Sequence, residues 1–455
     1  INGNGGIDVL LGDSGQFDYT GGDLRTIASA ASGIGGADTI DGDDGSDILV
    51  GGAGLVGATA PVTGDSITGD LGNDLILGDE GTITLENGVR RTITSSNTGT
   101  GDADTITGNE GADVILGGAL GDTIHGNADN DLILGDNGFA LFDTTGPSSV
   151  LTQIETSNPD DGDDDYIFAG DGSDVVLGGS GNDRIDAGEG DNMVLGDDGR
   201  VLFNSGKLDL ILSTEPTHGG VDTITSGSGN DTIVGGNFGD TVTVAGGNNL
   251  VVGDSGQIDY ETGTGLLLTV ESIAPPIGGD DTITAGSGND QVIAGIGSDT
   301  VTAGDGNNIV IGDNGFMDYT DDAELATVDE IRTTAPEQGG GVDVITLTNG
   351  SNIVLGGDGA DSMTYGDGDN VVLGDLGQVL LSSGQLDLIE STQEGQGGVD
   401  TITMGSGNNT VVAGYAGDVL TIAAGNNAVI GDSGKINYTT GTGATERLET
   451  VASSF

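Results

Sequence analysis

Residues 281–315 read DTITAGSGNDQVIAGIGSDTVTAGDGNNIVIGDNG, and this stretch contains the nine-residue pattern that decides the fold. Asp281, Asp290, Asp299 and Asn308 lie nine residues apart, and an Ile or Val stands two positions after each of them. Glycines before each acid permit left-handed backbone geometry and therefore tight turns. One unit cannot bury its apolar residue alone, whereas stacked units can. The pattern therefore predicts a solenoid of short strands and turns.

The nine-residue units are grouped into a longer repeat of roughly 60 residues. A Gly-Asp-x-Gly sequence recurs eight times at intervals of 57 to 66 residues and closes each block of units. Its copies begin at Gly12, Gly78, Gly135, Gly196, Gly253, Gly312, Gly374 and Gly431. Alternating apolar residues around a Gly-containing turn follow it, as at 201–210 and 379–386, which is the pattern of a β-hairpin. Only the first block is irregular, with nine extra residues at 55–63.

Composition excludes several classes of protein. The 455 residues include 91 Gly and no Cys, and 74 acidic against 9 basic side chains give a formal net charge of −65. Such a polyanion repels nucleic acid and anionic membranes, so neither is an expected partner. The chain contains no apolar run of about 18 residues, and we therefore expect no membrane span. His125 and His218 have no nucleophile or metal partner at a recognisable spacing, and we do not expect an enzyme.

The units resemble a known family of calcium-binding repeats. Residues 178–186 fit the pattern Gly-Gly-x-Gly-x-Asp-x-apolar-x, and residues 285–293 nearly fit it. This pattern is similar to the nonapeptide repeat of RTX proteins, also called hemolysin-type calcium-binding repeats. The resemblance implies a parallel β-roll with two units per coil turn, and multiple Ca²⁺ ions held between turns by Asp carboxylates and loop carbonyls. It also implies export by a Gram-negative type I system.

In such a roll, the first and third units of a block lie at one edge and the second and fourth at the other. Every acid position of the first edge is Asp: Asp38, Asp65, Asp104, Asp122, Asp165, Asp183, Asp222, Asp240, Asp281, Asp299, Asp343, Asp361, Asp400 and Asp418. The predicted metal ligands of the second edge are Asp47, Asp74, Asp113, Asp131, Asp174, Asp231 and Asp290. A solvated turn residue is the alternative for each, but stacked like charges favour a bound cation.

The second edge changes along the chain. Asn replaces Asp at Asn192, Asn249, Asn308, Asn352, Asn370, Asn409 and Asn427, and the last two blocks have only Asn there. Asn is neutral and hydrogen-bonds along a ladder without a counter-ion. We therefore expect continuous calcium sites on the first edge and metal-poor Asn ladders on the C-terminal part of the second edge.

The residues beside the buried position also differ between units. They are mostly polar in units one and three, such as Thr282 and Thr284, and mostly apolar in units two and four, such as Leu75 and Leu77. A strand that is apolar on both faces must be covered on both, and the hairpins supply the cover. Two coil turns and one hairpin both occupy ~9.6 Å along the sheet, so successive hairpins fit alongside.

The prediction is therefore an all-β fold: a parallel β-roll or β-solenoid of nine-residue units, with a β-hairpin inserted every ~60 residues to form a third sheet along the rod. We expect one continuous solenoid of about eight modules. Their predicted bounds are 1–37 (a partial module with its hairpin), 38–103, 104–164, 165–221, 222–280, 281–342, 343–399 and 400–455.

Two motifs leave alternatives open. The Asp of the Gly-Asp copies, for instance Asp254 or Asp313, either adds a metal ligand or turns the chain into the hairpin, and we prefer the turn. The Thr-x-Thr rows resemble a flat hydroxyl array for ice or carbohydrate binding. Ordinary β-propensity explains them better, because Tyr166, Phe168 and His125 interrupt the array.

The sequence predicts a secreted, calcium-binding structural rod at the cell surface or outside the cell, where calcium is abundant. It would form a stalk, matrix or filament segment of a large adhesin-like protein and self-associate end to end or side by side through open strand edges. The alternative is a calcium-triggered folding and secretion module of a toxin or enzyme whose active domain lies outside this chain. Because the chain begins at Ile1, we expect a processed product or a segment of something longer.

Overall fold

The computed structural model describes residues 1–29, 35–54, 64–96, 101–143, 149–274, 276–320, 327–335, 340–393, 395–439 and 447–453. These residues form two compact units, Ile1–Ser228 and Gly229–Phe455. Apart from a 3₁₀ turn at Pro159–Asp161, the regular structure of the described residues is all β. The nine extra residues at 55–63 lie outside the described part of the chain.

The first unit contains three sheets. Its middle sheet is parallel and runs in the order β1 (Val9–Leu11), β5 (Ile48–Val50), β7 (Leu75–Leu77), β11 (Val114–Gly118), β13 (Leu132–Asp136), β17 (Val175–Leu177) and β19 (Met193–Leu195). Its Thr-faced sheet is also parallel: β4 (Thr39–Asp41), β6 (Ser66–Leu71), β10 (Thr105–Glu110), β12 (Thr123–Ala128), β16 (Tyr166–Asp171), β18 (Arg184–Asp186) and β22 (Thr223–Ser228). Its hairpin sheet is antiparallel: β2 (Gly15–Thr20), β3 (Asp23–Ser29), β8 (Gly81–Glu86), β9 (Val89–Ser95), β14 (Gly138–Phe142), β15 (Leu151–Thr156), β20 (Gly199–Asn204) and β21 (Lys207–Ser213).

The second unit repeats this arrangement. Its middle sheet contains β23 (Thr232–Gly236), β25 (Leu250–Asp254), β29 (Gln291–Ile293), β31 (Ile309–Ile311), β35 (Ile353–Leu355), β37 (Val371–Leu373), β41 (Thr410–Val412) and β43 (Ala428–Ile430). Its Thr-faced sheet contains β24 (Thr241–Gly246), β28 (Thr282–Ala285), β30 (Thr300–Ala303), β34 (Val344–Leu347), β36 (Ser362–Tyr365), β40 (Thr401–Ser406) and β42 (Val419–Ala424). Its hairpin sheet contains β26 (Gly256–Tyr260), β27 (Leu267–Ser272), β32 (Gly315–Asp318), β33 (Glu330–Thr333), β38 (Gly377–Ser382), β39 (Gln385–Ser391), β44 (Gly434–Thr439) and β45 (Arg447–Ser453).

Equal positions of successive nine-residue units stack in register. This stacking confirms the predicted β-roll with its third, antiparallel sheet of hairpins. Ile106 pairs with Ile67 on one side and Ile124 on the other, and Ile115 pairs with Ile133 in the middle sheet. All five side chains are buried. The apolar residue two positions after each acid therefore forms a continuous core between the two parallel sheets of a unit. The division into eight modules of one solenoid stays a prediction.

The predicted hairpins form at 201–210 and 379–386. Ser205 and Gly206 join β20 to β21 with φ values of 54° and 74°, and Ser383 and Gly384 join β38 to β39 with 49° and 73°. Positive φ at both central residues is the geometry of a type I′ turn, which matches the twist of the flanking strands. β39 contacts β37 and β41 of the middle sheet, and the first residue of β20 packs on Leu195 of β19. These hairpins therefore cover part of the outward face of the middle sheet, as its apolar flanking residues predict.

The last glycine of Gly-Asp-x-Gly is required by this packing. A Cβ on Gly377 would lie 2.3 Å from Leu373 Cδ2 and 2.2 Å from the carbonyl oxygen of Glu390. Gly138 and Gly199 meet Leu134 and Leu195 in the same way. The hairpin strand thus begins with a residue that has no side chain, because a leucine of the middle sheet already fills that space.

We expect Gly377→Ala to destabilise the protein by ~1–3 kcal/mol through overpacking against Leu373. Gly36→Ala is the control, since nothing lies within 4 Å of a Cβ on Gly36 and its φ is not positive. The control should be neutral or slightly stabilising, because it restricts only the unfolded chain. Urea unfolding measures both. Equal effects would contradict the packing explanation.

Candidate metal-binding edges

Two sets of turns connect the parallel sheets of each unit. The first edge consists of the turns that lead from the middle sheet to the Thr-faced sheet, such as 118–122, and it is also where the hairpins leave and return. The second edge consists of the turns that lead back, such as 128–131. The fourteen predicted Asp ligands of the first edge and the seven of the second edge lie at the ends of these turns. Each of them directly precedes a strand.

The acids of each edge form a hydrogen-bonded ladder. On the first edge, the backbone N–H of Asp104 donates to Asp122 Oδ1 at 2.7 Å, and that of Asp122 donates to Asp165 Oδ1 at 2.6 Å. On the second edge, the N–H of Asp74 donates to Asp113 Oδ1 at 2.7 Å. Each ladder carboxylate therefore uses one oxygen to hold the backbone of the neighbouring turn. These side chains are almost fully buried.

The other carboxylate oxygen has no such role. Among the described residues, Oδ2 is buried without a hydrogen-bond partner in Asp104, Asp122, Asp165, Asp183, Asp281, Asp299, Asp343, Asp361, Asp400 and Asp418 of the first edge. The same holds for Asp47, Asp74, Asp113, Asp131, Asp174 and Asp290 of the second edge. A buried carboxylate oxygen without a partner is costly, and the row of them along the first edge indicates a ligand set for cations.

Glycines leave space where these oxygens converge. A Cβ on Gly117 would lie 2.3 Å from Asp122 Oδ2 and 2.2 Å from the carbonyl oxygen of Gly135. A Cβ on Gly253 would lie 2.3 Å from Asp281 Oδ2 and 2.2 Å from the carbonyl oxygen of Ala294. Carboxylate and carbonyl oxygens are the ligands that Ca²⁺ prefers. The residues present therefore fit calcium, and we call these positions cradle glycines.

Sequence reasoning missed the cradle glycines. They could have been recognised in the sequence by their spacing. A Gly stands five residues before the acid in every uninterrupted turn of the first edge, except in the two turns that have Ala294 or Ala413 at that position. In turns that carry a hairpin, the cradle glycine is the first residue of the Gly-Asp motif, for example Gly135 before Asp165.

Burial and neighbouring acids disfavour the charged form of the ladder carboxylates. Burial, together with the charges of Asp79 and Asp65, raises the pKa of Asp104 to about 9. Burial raises the pKa of Asp131 to about 8 and that of Asp361 to about 7, with charges of ladder neighbours adding to each. The carboxylates thus lie too deep and too close together to be ionised without a compensating charge.

The Asp of the Gly-Asp motif has a different role. Asp254 Oδ1 accepts the N–H of Gly279 at 3.1 Å, and its Oδ2 accepts the N–H of Ile296 at 2.5 Å. Gly279 lies in the chain that returns from the hairpin, and Ile296 lies in the next turn. Both oxygens are thus used by backbone donors, which supports the turn interpretation for Asp254. In Asp313, Oδ1 has no hydrogen-bond partner among the described residues.

The Asn residues of the second edge form the predicted ladder. Asn352 Nδ2 donates to Asn370 Oδ1 at 2.9 Å, Asn370 Nδ2 to Asn409 Oδ1 at 3.1 Å, and Asn409 Nδ2 to Asn427 Oδ1 at 3.0 Å. Each acceptor also receives the backbone N–H of the preceding Asn. The amide ladder is therefore saturated by its own donors.

The two histidines lie apart from these ladders. His125 stacks on Phe168 in the Thr-faced sheet, with ring centroids 4.8 Å apart. His218 Nε2 lies 3.3 Å from Asp160 Oδ1. No helix among the described residues is long and apolar enough to cross a membrane.

A roll with stacked Asp turns and cradle glycines defines a calcium-binding repeat protein. The family of RTX calcium-binding nonapeptide repeats (4 copies) matches the chain at residues 32–54, 64–82, 98–119, 121–139, 160–200, 218–242, 225–257, 278–310 and 338–372. These matches cover just over half of the chain, which therefore belongs to this family and binds multiple Ca²⁺ ions. Comparison with curated protein sequences gives no significant match.

Proposed function

We propose that the chain is an extracellular, calcium-dependent structural repeat without enzymatic activity, a stalk, matrix or filament segment of a large secreted or surface protein. The observation that carries this proposal is the row of buried, unpartnered Asp Oδ2 atoms in both units. These atoms are part of the fold itself rather than of one local pocket. Calcium binding is therefore coupled to folding of the whole repeat.

The chemistry of the sites supports an extracellular location. Calcium ligands on extracellular modules work at 10⁻⁴–10⁻³ M, a concentration range that is reached outside cells and not in the cytosol. The repeats are of a family typical of secreted proteins. A chain whose buried carboxylates are uncompensated inside the cell would stay unfolded there and fold after release.

A calcium titration of the full chain, followed by far-UV circular dichroism, tests the proposal. We expect β-structure to appear with a midpoint between about 10⁻⁴ and 10⁻³ M calcium. Magnesium at the same ionic strength is the control and should not replace calcium, because it dehydrates reluctantly and demands octahedral geometry. A midpoint below about 10⁻⁶ M would mean that the sites fill in the cytosol and would contradict the extracellular assignment.

A second candidate is a folding and secretion module for a toxin or enzyme domain outside this chain. The same coupling of calcium to folding favours it. The two differ in the full-length protein: further 60-residue repeats support the structural segment, and a catalytic domain supports the module. Self-association through open strand edges is part of the first proposal, and sedimentation velocity with and without calcium measures it.

A further inference from the structure

The residues of the second-edge turns change in type between Gly126 and Ala169, within the first compact unit. Along its N-terminal stretch a cradle glycine stands five residues before each acid, at Gly3, Gly42, Gly69, Gly108 and Gly126. A Cβ on Gly126 would lie 2.4 Å from Asp131 Oδ2 and 2.6 Å from the carbonyl oxygen of Ala169. A Cβ on Gly108 would lie 2.2 Å from Asp113 Oδ2. These positions thus have the same space between oxygens as the first edge.

From residue 169 onward the cradle position carries a side chain. The residues there are Ala169, Ala187, Ser226, Val244, Ala285, Ala303, Leu347, Tyr365, Met404 and Ile422. All of them except Ile422 are buried, so their side chains occupy the interior of the roll. A methyl group here takes the volume that Gly126 leaves open to the converging oxygens. Ca²⁺ needs six to eight oxygen ligands, which such a filled position does not offer.

The acid position of the second edge changes along the chain together with its cradle position. The Asp that follows each N-terminal cradle glycine becomes Asn in seven of the ten later positions. Each Asn Oδ1 from Asn370 to Asn427 accepts two N–H groups, one from the backbone and one from the amide of the preceding Asn. No cation is required to satisfy this ladder, because the amides of Asn352, Asn370 and Asn409 each donate to the next Asn.

The first edge keeps most of its cradle glycines. Twelve of its fourteen cradle positions are Gly along the whole chain, and the exceptions are Ala294 and Ala413. Gly374 in the last described blocks still places a Cβ 2.4 Å from Asp400 Oδ2. The loss of cradle glycines is therefore a property of the second edge and not of the C-terminal repeats in general.

We propose that the second edge binds calcium only as far as Asp131, and that from Asp174 onward it is a metal-free spine of amides and packed side chains. The second unit then binds calcium on its first edge alone. Asp174 and Asp290 accept backbone N–H groups with Oδ1. Their Oδ2 atoms are buried without a partner, but Ala169 and Ala285 occupy the cradle positions before them, and we therefore do not count them as metal ligands. This inference rests on the calcium binding in the proposed function and departs from the uniform pattern of the family.

Counting the calcium bound to two double variants of the full chain tests this. Asp113→Asn with Asp131→Asn should remove about two ions, because each change takes away the Oδ2 beside a cradle glycine. Asp174→Asn with Asp290→Asn is the matched pair, and it should leave the count unchanged. Equilibrium dialysis at saturating calcium gives the count, and circular dichroism checks that both variants are folded. Asn already occupies this ladder, so the substitutions keep its shape.

Equal losses in the two pairs would overturn the inference and leave the proposed function intact, and so would no loss from the first pair. If the unchanged chain binds no calcium, both fall. Should the first pair fail to fold, Gly126→Ala replaces it and should remove about one ion. Anomalous scattering from calcium-grown crystals gives an independent result: peaks are expected beside Gly108 and Gly126, and a peak beside Ala285 would contradict the inference.

Discussion

At pH 8, removal of calcium is expected to unfold the roll, whereas the calcium-free chain at pH 5.5 is expected to keep more of its β-structure. The reason is the row of buried ladder carboxylates, of which Asp104 has a pKa raised to about 9, Asp131 to about 8 and Asp361 to about 7. At pH 8 several of them must ionise beside one another in the absence of a cation. At pH 5.5 they stay protonated and neutral.

The sign follows from linkage between protonation and folding. A carboxyl whose pKa is raised in the folded state binds its proton more tightly there than in the unfolded chain, where its pKa is about 3.9. Its stabilising contribution is complete below that value and is lost as the pH rises through about 7 to 9. Calcium binding has the opposite dependence, since its ligands must be deprotonated.

Circular dichroism from pH 5 to pH 9, with chelator and with excess calcium, measures both dependences. With chelator, β-structure should fall as the pH rises. With calcium, it should be retained at pH 8, and the calcium concentration needed should increase as the pH falls. A calcium-free chain that is equally folded at pH 5.5 and pH 8 would contradict the role of the ladders.

Filling one cradle of the first edge is expected to have the second large effect. In Gly253→Val the new Cβ would lie 2.3 Å from Asp281 Oδ2 and 2.2 Å from the carbonyl oxygen of Ala294. The steric cost alone is ~1–3 kcal/mol. Loss of the ion that neutralises Asp281 adds to it. We expect a lower urea midpoint at saturating calcium and about one ion fewer per chain.

The chain offers a matched control for this variant. Gly36 lies in the first-edge turn that leads to Asp38, and a Cβ there has no atom within 4 Å. Gly36→Val should therefore change neither the midpoint nor the ion count appreciably. If both variants have the same effect, the space beside Gly253 does not hold an ion.

The layers of the fold could be predicted from the sequence because they depend on periodicity. Ile106 and Ile124 stack because both stand two residues after an acid, and the apolar neighbours of the middle sheet required a cover that the hairpins supply. The contacts that the prediction missed join residues far apart in the chain. Asp254 holds the N–H groups of Gly279 and Ile296, and no local pattern indicates such pairs.

The candidate site could likewise be predicted only in part. The acids could be identified from their nine-residue spacing, since every copy repeats the same turn. The cradle glycines could not be told apart from the many glycines that only permit a turn. Their role depends on the carbonyl oxygen of the next rung, for example that of Gly135 beside Gly117, and this neighbour is known only once the rungs are stacked.

The hairpins occupy a break inside a turn of the first edge. In an uninterrupted turn Asp122 follows Gly117 after five residues, while in an interrupted one Asp165 follows Gly135 after thirty, yet both pairs meet at the same place. The two ends of an inserted hairpin thus lie close together, at the place where an uninterrupted turn would continue. Turns such as 118–121 are for this reason suitable insertion sites for a foreign domain whose termini lie close together. Insertion at several equivalent turns would display copies of that domain at regular intervals along an otherwise unaltered scaffold.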